Sequence, residues 1–260
     1  MAKSLGNGID PLEIVKEYGA DALKFTLAYN CAAGQDILID HDSFKMGSKF
    51  ANKVWNASRF LLMNLEGREL LDPAAIEYTD TDKWILHRLD EAAAQTAQAL
   101  ESWRFNDAAQ TAYSYFWNDF CDWYIEATKL STRSGDDAEK DRVTTVLLTV
   151  LEESLRLLHP FLPFVTEEIY GMLPNAKGRL IVQPWPKRDE ARVNPALASR
   201  FESLQSLVIL ARTLRSEFQI PPEAKMPLTV KFEAGFESAE FFRRNAALVG
   251  LLVNGPEPRF

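Results

Sequence analysis

Four amphipathic stretches, near residues 41–65, 81–102, 104–132 and 136–158, repeat apolar residues at three- and four-residue spacing. That spacing puts one apolar stripe on each helix, and a stripe has to be buried against another helix. The stretches are long and their connections short. Gly67 to Thr81 contains Pro73, and Ser131 to Asp137 contains Gly135. Lengths and connections of this kind predict an antiparallel helix bundle, so the fold class is mainly α. His159-Pro-Phe-Leu-Pro163 stops the fourth helix, because proline has no N–H to continue the ladder. A shorter helix near 164–173 follows, with Thr166, Glu167 and Glu168 assigned to its first turn. Phe116, Trp117, Phe120, Trp123 and Tyr124 form a dense aromatic stripe that reads as core, and Trp117, Trp123 and Phe161 are expected to be largely buried.

The chain on either side of the bundle has a different character. Residues 174–195 are rich in proline, a helix near 196–218 follows, and Leu228-Thr-Val-Lys-Phe232 alternates like a strand. A further helix spans roughly 237–252. These features predict a small α/β appendage over 176–260, after a bundle domain over 41–175. Residues 1–40 form a third piece. Asp10-Pro11 is a helix start, with Asp as N-cap and Pro at the first helical position. Ahead of it, Met1-Ala-Lys-Ser-Leu-Gly-Asn7 combines a cation, a hydroxyl and a glycine, the ingredients of a phosphate-contacting loop.

Chemistry beyond that loop is sparse. The two cysteines, Cys31 and Cys121, have no partners at metal-ligand spacing and read as buried free thiols in a reducing cytoplasm, with no metal site. No apolar run reaches the roughly 20 residues that span a bilayer. His41-Asp42 reads as a helix start, and His159 as a structural histidine at a helix end. The net charge of −8 argues against indiscriminate nucleic-acid binding and leaves room for a local basic patch.

One such patch exists. Between His41 and Phe60 lie Lys45, Lys49, Lys53 and Arg59, with Asp42 as the single acid. At about 100° per residue, Lys45, Lys49, Asn52, Lys53, Asn56, Arg59 and Phe60 share one sector of roughly 120°. Cations meet phosphates, amides read base edges, and a ring stacks on an unpaired base. A solvated helix face, with Phe60 tucked under a neighbour, explains the same pattern from the residues alone. Arg104, Lys129 and Arg133 either extend the patch or balance nearby acids.

Several stretches resemble the valyl-tRNA synthetase family of class I aminoacyl-tRNA synthetases. Lys3-Ser-Leu-Gly-Asn7 followed by Ile9-Asp-Pro11 is similar to the Lys-Met-Ser-Lys-Ser loop and its continuation, with Ala2 where the family has serine. Phe120-Cys-Asp-Trp-Tyr-Ile-Glu126 and Leu155 to Ile169 resemble two helices of the family's anticodon-binding bundle, and Asn52 to Phe60 and Gln183-Pro-Trp-Pro186 agree with them. The resemblance implies that the chain is a segment of a longer enzyme that activates valine with ATP and Mg²⁺ and transfers it to tRNA(Val). The catalytic remnant is then Lys3 and Ser4, and the segment itself is expected to be inactive and to hold no cofactor. It also implies that Lys45, Lys49, Asn52, Lys53, Asn56, Arg59 and Phe60 meet the anticodon loop. The whole reads as a cytoplasmic monomer without membrane contact. A free-standing RNA-binding or regulatory protein derived from a synthetase, and a purely structural helical scaffold, are the competing readings.

Overall fold

The computed structural model describes residues 8–32, 34–65, 67–133, 136–221 and 223–260. Asp10 accepts the amide of Leu12 and opens α1 (Pro11–Tyr18) with proline in its first turn. Gly19, at φ +96°, makes the sharp turn into α2 (Ala20–Asn30). An extended segment leads to a reciprocal cap in which Asp40 accepts from Ser43 and the Ser43 hydroxyl accepts the Asp40 amide. This cap starts a short 3₁₀ turn (His41–Ser43) and α3 (Phe44–Leu65). The helix start expected at His41-Asp42 is therefore present, with Asp40 as the capping carboxylate.

Helix α4 (Asp80–Glu101) begins at a Thr79–Asp82 capping box. After a turn through Trp103, the chain runs through α5 (Phe105–Ser114), a π-helical stretch (Tyr115–Tyr124) and α6 (Ile125–Thr132). Helix α7 (Asp137–Leu158) returns along the bundle. Arg68, just past α3, pairs with Asp137 and Asp141 at the start of α7, so α3 and α7 are antiparallel. Asp82 meets Tyr124 while Arg88 meets Asp119, so α4 is antiparallel to the π stretch. The antiparallel bundle expected from the periodicity is the architecture observed.

The π stretch changes which aromatics are core. Hydrogen bonds to the fifth residue back widen the turn, so an i, i+4 series stays on one face. Phe116, Phe120 and Tyr124 are such a series and are fully buried. Trp117 and Trp123 swing to the flanks and are half-buried, against the expectation of deep burial, whereas Phe161 is buried as expected. The Arg212 guanidinium lies over the exposed side of Trp123, 5.7 Å from the ring centroid.

Proline at its first position opens α8 (Pro163–Gly171), whose free amides are taken by Asp21 of α2. Its carboxylate accepts from Phe164 at 3.1 Å and Val165 at 2.7 Å. Burial pushes this carboxyl above its ordinary pKa, and the two amides pull it back. Glu167 and Glu168, expected in the first turn, both lie past it, and Glu167 accepts the amides of Leu180 and Ile181 instead. His159 is structural as expected, its Nδ1 lying 2.8 Å from the Thr166 hydroxyl.

Helix α9 (Pro195–Glu217) packs on α4, where Trp84 stacks on Phe201 with centroids 5.0 Å apart. The last helix resolves into α10 (Ala239–Arg244) and α11 (Ala246–Leu252), separated at Asn245. The strand expected at 228–232 reduces to one parallel bridge between Thr229 and Arg259. Val230 donates to Arg259 at 2.8 Å and Arg259 to Leu228 at 3.0 Å. Among the described residues, the α/β character expected of 176–260 reduces to helices α9 to α11 joined by irregular segments, with this one bridge as its β content.

Asp90 gives the core a pH dependence. It lies buried on α4, 3.3 Å from the Asp189 amide and 3.7 Å from Arg192, with Glu153 and Asp189 nearby. Burial pushes its carboxyl up to about 6 against the partial pull of Arg192. A raised carboxyl pKa means that the folded chain holds its proton more tightly than the unfolded one. This contribution is therefore unfavourable above pH 6 and is relieved as pH falls from about 6 to about 4. Asp90→Asn keeps an acceptor for the Asp189 amide without the charge. The variant is expected to exceed the parent by up to ~2 kcal/mol at pH 7.5, with the advantage closing by about pH 4. Urea melts at both pH values measure this, and an advantage that grows toward acid contradicts it.

Candidate nucleic-acid interface

Helix α3 owes its orientation to two contacts on its inner side. Gly47 presses against α2 so closely that a Cβ there would lie 2.5 Å from the Ala22 carbonyl oxygen. Three residues on, the Phe50 ring packs among Phe25 at 4.8 Å, Tyr113 at 4.7 Å and Phe116 at 6.1 Å. Phe44, Val54, Ala57, Ser58 and Leu61 complete the buried side. With that face fixed, the opposite one is turned to solvent.

The outward face is narrower than the sector expected from the sequence. Lys45, Lys49, Asn52, Asn56 and Arg59 are all exposed and follow one another at four- and three-residue steps. The same register continues to Met63, which is 68% exposed and lies one step beyond the residues the sequence singled out. Its signal was the spacing itself, because 63 is the next step after 59.

Lys53 and Phe60 sit on the flank and are half-buried. The Lys53 ammonium is held by Asp122 at 2.8 Å and lies 5.0 Å from the centroid of Trp117. Partial burial disfavours its charge, Asp122 outweighs that cost, and the ammonium pKa is raised. Lys45 pairs with Asp42 at 2.7 Å across one exposed turn. Among the described residues, Lys49 and Arg59 make no ion pair, so they are the stripe's uncommitted cations. Phe60 packs partly against the core, with the rest of its ring at the edge of the stripe.

The other basic residues considered divide as the balance of charges suggests. Arg104 pairs with Asp107, and Lys129 with Glu126, both at helical spacing. Arg133 is exposed at the end of α6. Of the thiols, Cys121 is buried, and burial pushes its pKa up to about 12. Cys31, expected to be buried, is exposed because it caps the outer end of α2. Lys3 and Ser4 lie outside the described residues. Among the described residues, no helix is long and apolar enough to cross a membrane, and no group of His, Cys, Asp and Glu is placed to hold a metal.

A row of two free cations, two amides, one paired lysine and a thioether, with an aromatic edge beside it, suits a single-stranded nucleic acid. The cations take phosphates, the amides take base edges, and the apolar groups take base faces. Nothing in the row offers a nucleophile with a base beside it.

Comparison with known proteins places the chain as a whole. Residues 82–231 match the family described as the anticodon-binding domain of tRNA ligase. Residues 1–40 match the class I tRNA synthetases for isoleucine, leucine, methionine and valine. The chain is 50% identical over 265 residues to a valine--tRNA ligase of Treponema denticola, covering 97% of this chain and 29% of that one. It is 51% identical to the valine--tRNA ligase of Treponema pallidum, over 89% of this chain and 25% of the relative. The chain thus spans under a third of the length of these relatives. Helix α3 lies between the two family matches and inside the likeness to the Treponema denticola protein. A leucyl-tRNA synthetase of Agrobacterium radiobacter, solved with tRNA, shares the fold at a TM-score of 0.59 and 23% identity, over 75% of this chain and 23% of its own.

Proposed function

This chain belongs to the anticodon-binding-domain family of tRNA ligases, and on that premise we propose that it is the anticodon-recognising portion of a valyl-tRNA synthetase. The observation that carries the proposal is the solvent-facing row Lys45, Lys49, Asn52, Asn56 and Arg59 on a helix whose other side is locked into the bundle. In this reading the partner is tRNA(Val). Lys49 and Arg59 contact phosphates, Asn52 and Asn56 reach base edges, and the free edge of Phe60 stacks on an anticodon base. Lys53 stays with Asp122 until RNA competes for it. A rigid row of donors costs little conformational entropy on binding, which favours recognition by position.

The longer enzyme would attach valine to tRNA(Val) at the expense of ATP, in the cytoplasm. Lys3 would place its ammonium against the pyrophosphate as negative charge develops there, and Ser4 would steady the loop. ATP, with Mg²⁺, would supply the adenylyl group that activates the valine carboxylate in that enzyme, with pyrophosphate as the leaving group. The part assigned to residues 8–260 is to hold and orient the tRNA.

The test uses this chain alone. Filter binding is expected to show preference for tRNA(Val) over tRNA(Ala). Valine-dependent exchange of pyrophosphate into ATP is expected to stay at the level of a protein-free control. Equal affinity for the two tRNAs, or exchange clearly above the control, rejects the proposal.

A further inference from the structure

A second local reversal of charge lies far from α3 in sequence. Residues 177–188 read Lys-Gly-Arg-Leu-Ile-Val-Gln-Pro-Trp-Pro-Lys-Arg, with basic residues at 177, 179, 187 and 188 and no acid, in a chain of net charge −8. Arg188 pairs with Glu190 at 3.3 Å. Lys177, Arg179 and Lys187 are exposed and make no ion pair among the described residues. Between these cations, Ile181 is 69% exposed and Val182 75% exposed.

The loop is built, not merely solvated. The Glu167 carboxylate accepts the amides of Leu180 at 3.1 Å and Ile181 at 3.3 Å, holding the 3₁₀ turn Leu180–Val182 onto α8. The Gln183 side-chain amide donates to the carbonyls of Lys177 and Arg179, at 2.5 and 3.2 Å. Lys177 donates its own amide to the Tyr170 hydroxyl at 3.3 Å. Gly178, at φ +69°, supplies the turn between the two cations, and Leu180 and Pro186 are buried anchors. Five contacts thus fix the backbone of a segment whose outward side chains are cations and two branched aliphatics.

The position matters as much as the charge. The turn rests on α7 and α8, and α8 is tied at its first turn to Asp21 of α2. Ala22, next to Asp21, is the residue on which Gly47 packs in the first turn of α3. The loop therefore belongs to the Lys45 end of α3, while Arg59 lies about 20 Å further along the helix.

We propose that residues 177–188 form a second, sequence-independent contact for the phosphate backbone of the tRNA, outside its anticodon loop. The inference rests on the reading of the chain as a tRNA-binding domain. Lys177, Arg179 and Lys187 neutralise phosphates, and Ile181 and Val182 lie against the sugars between them. A fixed loop places these charges without ordering the backbone on binding, and each phosphate contact adds to the salt dependence of binding.

The experiment compares this chain with Lys177→Ala/Arg179→Ala/Lys187→Ala, using transcribed full-length tRNA(Val) and its isolated anticodon hairpin over a range of salt concentrations. The triple variant is expected to bind full-length tRNA ~10-fold more weakly, with the salt slope smaller by about 2–3. Its affinity for the hairpin is expected to change less than about two-fold, and Lys177→Arg/Arg179→Lys/Lys187→Arg to bind as the parent does. Thermal melts of both variants should match the parent, because these side chains contact no described acid. Unchanged affinity and slope for full-length tRNA overturn the proposal and leave the loop to a protein partner. Equal losses with both probes overturn it too, since the contact would then fall within the hairpin. Arg59→Ala, run alongside, reports on the anticodon reading: an unaffected hairpin counts against that reading alone.

Discussion

Asp82→Ala is expected to destabilise the chain by about 3–5 kcal/mol, because it strips one partner from a buried charge network. Asp82 is 2% exposed and sits where α4, the π stretch and α7 meet. One carboxylate oxygen accepts the Tyr124 hydroxyl at 2.7 Å. The other accepts the Thr79 amide at 2.9 Å and the Thr79 hydroxyl at 2.7 Å, and is paired with Arg142. Removing the carboxylate leaves the fully buried Tyr124 hydroxyl without its acceptor, opens the α4 cap, and leaves Arg142 to Glu139 alone. An unpaired buried polar group costs about 1–3 kcal/mol by itself, and a lost cap about 1. Asp82→Asn, which keeps an acceptor for Tyr124, should fall between the parent and the alanine variant. Urea melts with a Tyr124→Phe double-mutant cycle separate the hydroxyl from the charge. A loss below about 1 kcal/mol for the alanine variant would mean that water reaches the network and supports Arg142 unaided.

That network also marks where reading the sequence runs out. Helix positions followed from periodicity and from breakers: Asp10-Pro11, Gly19 and His159-Pro160 all end or begin elements where their backbone chemistry requires. The exposed row of α3 followed as well, because 45, 49, 52, 56 and 59 keep one phase. What escaped were contacts between residues far apart in the chain. Asp82 meets Arg142 across 60 residues, Asp21 caps α8 across 143, and Lys53 meets Asp122 across 69. Each joins two elements whose spacing in sequence says nothing of their distance in space. Lys53 shows the consequence for a site: its phase puts it at the edge of the sector, about 80° from Lys45, and only the fold shows that Asp122 and Trp117 of the π stretch hold it there. The alternation at 228–232 misled for a related reason: a strand needs a neighbour that pairs along its length, and pattern alone does not say whether one is there.

Phe60 is the residue at which the fold and the proposed recognition can be pulled apart. Part of its ring packs on the bundle, so Phe60→Ala would lose core contacts together with any base contact. Phe60→Leu keeps an apolar side chain of similar reach and removes the flat face. Stacking of one base on a ring contributes roughly 1–3 kcal/mol, or about 5- to 150-fold in affinity. Phe60→Leu is therefore expected to weaken binding of this chain to tRNA(Val) within that range, to bring its affinity close to that for tRNA(Ala), and to leave its melting temperature nearly unchanged. Lys49→Ala should behave differently. Lysine is a point charge that meets phosphate whatever the base, so its loss should weaken both tRNAs alike and reduce the salt slope by about one. The two variants thus give opposite signatures, lost discrimination from the ring and lost salt dependence from the cation. If Phe60→Leu leaves discrimination between the valine and alanine tRNAs intact while lowering the melting temperature, the ring serves the core alone, and the row on α3 recognises RNA without it.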